Sequence, residues 1–172
     1  LISVVNRIHS SGEGLEGYST LTSATQVFDS NAVLGDLDLP GAVTHGSFEL
    51  KVTNRQTGIT QVETIRIDLD GIGSNDTSLE DLRASIDSVA NVTATITTTG
   101  ELKLDAGTDF ELRFASDSSG VLAALGINTF FTGSDAATIG INSTVRDNHK
   151  LLATGQGGGP SDNRNVPSGS RA

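Results

Sequence analysis

The side chains able to do chemistry are few, and their spacing is poor for it. His9, His45 and His149 stand far apart, and none lies in an H-x-x-x-H or H-x-x-E pairing. A zinc site or an activated nucleophile would need the fold to bring them together, so the spacing favours surface or capping roles. Serines are plentiful, yet none sits in G-x-S-x-G, which leaves a hydrolase nothing to rest on. With no cysteine there is no disulfide, thiolate metal site or cysteine nucleophile, although the compartment stays open. The best candidate is DLDGIGSND, residues 68–76, where Asp68, Asp70, Asp76 and the Asn75 side chain offer oxygens at spacings that echo a calcium loop. The EF-hand pattern needs an oxygen two places after Asp70, where Ile72 stands, and a Glu at the twelfth place, where Leu79 stands. A Gly-rich turn that sets acids near a helix's positive N-terminus accounts for the run more simply. Gly71 and Gly73 form only G-x-G, and a phosphate cradle would not be lined with aspartate. No catalytic, cofactor-binding or metal-binding residue is therefore assigned, and no enzymatic role. Asn75, Asn91 and Asn142 open glycosylation sequons of a pattern short enough to arise by chance. Phe130-Phe131 reads as core packing before it reads as a binding hot spot.

The elements that must carry these residues centre on TSLEDLRASIDSVA, residues 77–90. Leu79, Leu82, Ile86 and Val89 recur at helical spacing and make one apolar stripe. Thr77 with Glu80 predicts a capping box, and Glu80, Arg83 and Asp87 line the stripe's edge with opposite charges. Alternation predicts strands over 47–53 (Phe48, Leu50, Val52) and 60–69 (Val62, Ile65, Ile67, Leu69), with a bulge where the phase changes between Val62 and Ile65. Further strands follow at Val92, Ala94 and Ile96, at Leu102 and Leu104, and at Phe110, Leu112 and Phe114. The fold class is thus α+β, mainly β. One antiparallel sheet in strand-strand-helix-strand-strand-strand order is covered on one face by the helix, with irregular decorations and truncated terminal helices.

Composition bounds the rest. The 172 residues suit one domain, yet only 35% are hydrophobic and 4% aromatic, with 20 glycines. The net charge of −10 opposes nucleic acid and anionic lipid as partners. No run of about 18 apolar residues and no signal-peptide pattern occurs in the sequence. A chain that starts at Leu1 and has no methionine reads as a piece of something longer. Leu1, Val4, Val5 and Ile8 predict a helix over 1–9, the stub of an N-terminal arm that ends by residue 12. Residues 13–152 make the central domain, with its core at 46–116 and an extension at 117–152. Within it, 13–45 is a long excursion with a turn of helix near 23–28. Gly126 ends a short helix over 120–125, residues 138–141 are strand-like, and Asn142 caps a helix over 143–153 that buries Val145 and Leu152. Residues 153–172 read as a flexible Gly/Ser/Pro-rich tail.

Two segments carry a resemblance to a known family. VNRIHSSGEGLEG (5–17) and above all SGVLAALGINTFFTGSDAATIGIN (119–142) resemble the flagellar hook-associated protein 1 family, which forms the junction of hook and filament. SLEDLRASID (78–87) and GELKLDAGTDFELRF (100–114) are similar to modules of bacterial axial proteins, and LGINTFF is the most specific piece. The likeness runs from Val5 to about Asn165 and has no motif in 13–45. After GGGPSDNRNV the family continues into a long helix, whereas Pro167 and SGSRA follow here. The resemblance implies the outer domain of a structural subunit whose absent arms form a coiled-coil inner tube. It implies copies of itself and other axial proteins as partners and an extracellular place reached by unfolded export without a cleaved signal peptide, while the short stub and the charge of −10 predict a monomer when isolated. The competing readings are an extracellular calcium- or glycan-binding β module using residues 68–76, and a different axial protein: the second junction protein, the hook or the filament subunit.

Overall fold

The computed structural model describes residues 1–73, 75–133 and 136–155. In chain order it holds α1 (Ile2–Ser10), β1 (Thr20–Thr22), β2 (Gly46–Asn54), β3 (Thr60–Ile67), α2 (Leu79–Asp87), β4 (Thr93–Ile96), β5 (Leu102–Asp105), β6 (Phe110–Ala115), α3 (Val121–Leu125), β7 (Phe131–Thr132), β8 (Gly140–Ile141) and α4 (Ser143–Asp147). Short 3-10 turns occupy Leu34–Asp36 and His149–Leu151. The class is α+β and mainly antiparallel β, as the alternation predicts. No helix of the described residues is long and apolar enough to cross a membrane.

The strands do not form one sheet. β3, β2 and β6 pair in that order, while β4 and β5 join β1 in a second three-stranded sheet, and β7 pairs with β8. Period-two alternation specifies which residues face inward and is silent about partners, which are chosen by long-range hydrogen bonding. The link between the sheets is the stretch that reads as decoration. Tyr18 exchanges both backbone bonds with Leu112 of β6, at 2.9 and 2.7 Å, and two residues later Thr20–Thr22 pairs with β5. The helical turn expected near 23–28 is absent. Ser23 N–H instead bonds the Leu102 carbonyl at 2.8 Å and Val27 N–H the Gly100 carbonyl at 2.9 Å, so this stretch lies against the sheet.

The expected bulge is also absent: β2 and β3 pair without a break from Gly46↔Ile67 to Thr53↔Thr60. Val62 keeps the period and lies on the wet face at 50% exposure, opposite in sense to buried Ile65 and Ile67. Its type reflects strand preference on an edge rather than burial.

α2 carries the predicted stripe through Leu79, Leu82 and Ile86, and with Val89 just past its end these are buried in one cluster with Phe48, Leu50, Ile67 and Phe114. The capping box lies one residue later than Thr77 and Glu80. Ser78 Oγ accepts from Asp81 N at 3.2 Å, and the Asp81 carboxylate accepts from Ser78 N at 3.0 Å. The Ser78 hydroxyl, followed by its N–H, holds the Asp81 carboxyl below the usual range. Thr77 was displaced from the cap because its Oγ1 accepts from Asp68 N at 2.8 Å, which closes the preceding loop.

At the far end Asn142 caps α4 as predicted, accepting from Thr144 N at 3.0 Å. The helix expected over 143–153 breaks at Asn148, whose side chain caps the 3-10 turn through Lys150 N at 3.1 Å. That change of pitch buries Leu151 in place of Leu152. Residues 153–155 do not behave as tail, because Thr154 and Gly155 donate to the Glu13 carbonyl and Glu13 N–H returns a bond to Gly155 at 2.9 Å. The remainder of the expected tail lies outside the described residues.

Candidate functional site

α1 is fastened by polar residues, with Ile2 and Val5 half-buried beside them, and leaves part of its apolar stripe exposed. Leu1, Val4 and Ile8 are 91%, 60% and 63% exposed, while Asn6, His9 and Ser10 are buried. The anchor is the run LGINTFF, residues 125–131. Asn6 Oδ1 accepts from the N–H groups of Phe130 and Phe131 at 3.1 and 2.8 Å, and its Nδ2 donates to the Phe131 carbonyl at 2.9 Å. One side chain thus satisfies three backbone groups of an irregular segment.

Asn128 is the second anchor. Its Nδ2 donates to the Gly12 carbonyl at 3.0 Å and to the Ser10 carbonyl at 3.4 Å, the free carbonyls at the end of α1. Its Oδ1 accepts from the Tyr18 hydroxyl at 2.9 Å, and burial pushes that phenol up to about 12. Asn128 itself is left-handed, with φ 52°, a conformation asparagine tolerates better than most residues. Two residues earlier Gly126, at φ 71°, closes α3, and a Cβ there would stand 2.7 Å from the Ala24 methyl. The LGINTFF run therefore has a mechanical role: it ends α3, crosses beneath α1 and binds it.

Phe130 and Phe131 meet edge to face with ring centres 4.7 Å apart, and Phe130 also lies 5.7 Å from the His9 ring. Both are half-buried, the packing use that their scarcity favours. Beside the exposed stripe of α1 runs a groove of 760 Å³, lined by Leu1, Val4, Pro40, Ala42, Ala123 and Ile139 among others. An apolar helix face next to an apolar groove can take up another helix by ridge-into-groove packing.

The loop 68–76 is closed by its own acids. Asp68 Oδ2 accepts from Asn75 Nδ2 at 2.7 Å, Asp70 Oδ1 from Ile72 N at 2.8 Å and Asp76 Oδ1 from Gly71 N at 3.2 Å. The structure adds a residue that spacing could not: His45 lies with Nδ1 3.3 Å from Asp68 Oδ1, and ligand atoms of His45, Asp68 and Asp70 all fall within 4.8 Å of one another. The group lies at the surface, with His45 and Asp70 exposed, and its carboxylates already serve as turn acceptors. His9 is buried, contrary to the surface or capping role its spacing suggests, and His149 is exposed. Of the sequon asparagines Asn75 and Asn91 are exposed, whereas Asn142 is occupied as a cap and donates to the Thr129 carbonyl at 2.9 Å.

Thermal melts of the protein in millimolar calcium and in chelator should coincide, because Ile72 and Leu79 stand where ligands belong. A ligand at 100 times its Kd would add about 2.7 kcal/mol. An upward shift of several degrees in calcium, abolished by Asp70→Ala, would establish a site there.

No family model and no curated protein matches the chain.

Proposed function

We propose that this chain is a structural, non-catalytic domain of a bacterial flagellar axial subunit, the outer domain of a hook–filament junction protein of the hook-associated protein 1 kind. The observation that carries the reading is the inverted burial of α1: polar side chains hold it to the domain while Leu1, Val4 and Ile8 face outward along an apolar groove. A helix built this way is a mount for a further helix rather than part of a core. Supporting it, the incoming chain at Glu13 and the outgoing chain at Gly155 pair directly, as a domain carried between two arms requires. The motif most specific to the resembled family, LGINTFF, is also the segment that grips α1. In this reading the partners are copies of the same subunit and neighbouring axial proteins outside the cell, reached by unfolded export. Antibodies raised against the chain should label isolated flagella at the junction of hook and filament by immunogold microscopy. Flagella that carry no label there would defeat the assignment, and label along the hook or filament would move it to another axial protein.

The domain alone should not assemble. α1 has 9 residues, and an isolated helix shorter than about 12–15 is marginal in water, while a charge of −10 repels like copies at low salt. Light scattering at micromolar concentration should therefore report a monomer, and fusing helical arms to both ends should produce polymers. A salt-resistant dimer or ring of the domain alone would show that it drives assembly itself. The convergence of His45 with Asp68 and Asp70 favours a second reading, an extracellular cation- or glycan-binding β module, which the calcium melts address.

A further inference from the structure

His9 sits where the incoming and outgoing chains meet, and the fold decides where its proton is. Nδ1 lies 2.8 Å from the Asn128 carbonyl oxygen, an atom that only accepts, so Nδ1 carries the hydrogen. Nε2 receives the Ala153 N–H at 3.0 Å, so Nε2 carries a lone pair. One neutral tautomer therefore occupies a buried site with both nitrogens in use. A second proton on Nε2 would face the Ala153 N–H, donor against donor, beside the Phe130 ring.

We propose that His9 is an acid-released latch: its neutral ring fastens the outgoing segment at Ala153 to α1, and protonation of Nε2 by acid from solvent lets that segment go. The release should spread to the neighbouring bonds, since Thr154 and Gly155 donate to the Glu13 carbonyl at 3.1 and 3.2 Å from the same short stretch. The latch stands on this geometry and does not depend on the flagellar reading.

The charged groups around the ring are engaged elsewhere. On α1, Arg7 reaches the Ser118 carbonyl at 3.3 Å, and residues 125–131 have no titratable side chain. Glu13 pairs with Lys51 of β2 through Oε1 while its buried Oε2 has no hydrogen-bond partner among the described residues, and the Tyr18 hydroxyl belongs to Asn128. Asp117 accepts from Ser119, Gly120 and Leu122 N–H groups. On the outgoing side Lys150 pairs with Glu16 at 2.6 Å and His149 is exposed. Among the described residues no carboxylate forms an ion pair with the His9 ring, so none is placed to retain a second proton there. Burial lowers the ring's affinity for a proton, with the Asn128 carbonyl opposing in part. In the unfolded chain the same histidine titrates near 6.5. Between that value and the lower folded one, the unfolded state binds more protons. This contribution to stability is therefore whole above 6.5 and is lost as pH falls toward the folded value.

The test is nuclear magnetic resonance of the 15N-labelled protein. At about pH 7.5 His9 should show a protonated Nδ1 and a bare Nε2, with a slowly exchanging Ala153 amide. As pH falls below 6.5 toward about 5, Nε2 should take up a proton when the segment opens, and protection at Ala153, Glu13 and Gly155 should drop by up to about tenfold per pH unit until the lower folded midpoint of the ring is reached. The Leu50 amide of the central strand β2 should keep its protection throughout, which separates release from global unfolding. His9→Gln should make Ala153 protection independent of pH over this range. An Nε2–H tautomer at the upper pH, or wild-type Ala153 protection that does not change across the range, would overturn the latch. Both readings come from the unaltered protein and decide the matter even if the variant fails to fold.

Discussion

Replacing Asn128 by alanine should lower the melting temperature by roughly 10 °C. The substitution strips the Gly12 carbonyl and the Tyr18 hydroxyl of a buried partner, and each orphaned group costs about 1–3 kcal/mol. It also puts alanine at φ 52°, where a Cβ without a helpful side chain costs about 1–2 kcal/mol. Together these come to about 3–5 kcal/mol or more, and in a chain of this size each kcal/mol moves the midpoint by about 2–4 °C. Asn128→Gly removes the same hydrogen bonds while accepting the left-handed backbone, so it should fall between parent and alanine. Tyr18→Phe should cost about 1 kcal/mol and should not add fully to Asn128→Ala, because both break one bond. Calorimetry that found Asn128→Ala within a degree or two of the parent would mean that α1 is held by something other than this side chain.

Leu82→Ala should cost about 2–5 kcal/mol, the usual range for emptying a buried leucine site. Leu82 is 1% exposed and lies at the centre of the α2 stripe, between Leu79 and Ile86, in the cluster that also holds Phe48 and Phe114. Urea unfolding should show a lower midpoint at an unchanged slope, the sign of lost stability without a looser native state. Val62→Ala is the matched control. Its side chain is apolar and lies in a strand, yet it is 50% exposed, so truncating it should change stability by about 0.5 kcal/mol at most. Equal losses at the two positions would contradict the burial described for β3, and no loss at Leu82 would mean that α2 is not docked.

The candidate site was harder to read than the fold. The polar seam under α1 draws on Asn6, His9, Asn128 and Ala153, which come from opposite ends of the chain, and no local pattern in either segment announces the other. The one available signal was the unusual position of three polar residues, Asn6, His9 and Ser10, on the face of α1 opposite Leu1, Val4 and Ile8. The apolar stripe predicts the helix but not which face meets the domain, and tertiary contacts bury the polar side because each polar group finds a backbone partner. The approach of His45 to Asp68 and Asp70 is of the same kind, since it depends on how the chain enters β2.

By itself the sequence determined the elements whose signals are local. α2 follows from four apolar residues at helical spacing, β2 to β6 from alternation and turns, and the end of α3 from Gly126. The absence of cysteine and a net charge of −10 likewise hold whatever the fold. Only the tertiary structure decided which strands pair, that residues 18–22 join two sheets, that Ser78 rather than Thr77 caps α2, and that His9 is a buried, neutral link. The reason is physical: spacing along the chain encodes which face of an element is apolar. Pairing, capping and protonation depend on which polar groups are left without water, and that is settled by partners the local pattern does not name, from Asp68 nine residues before Thr77 to Gly12 and Tyr18 more than a hundred before Asn128.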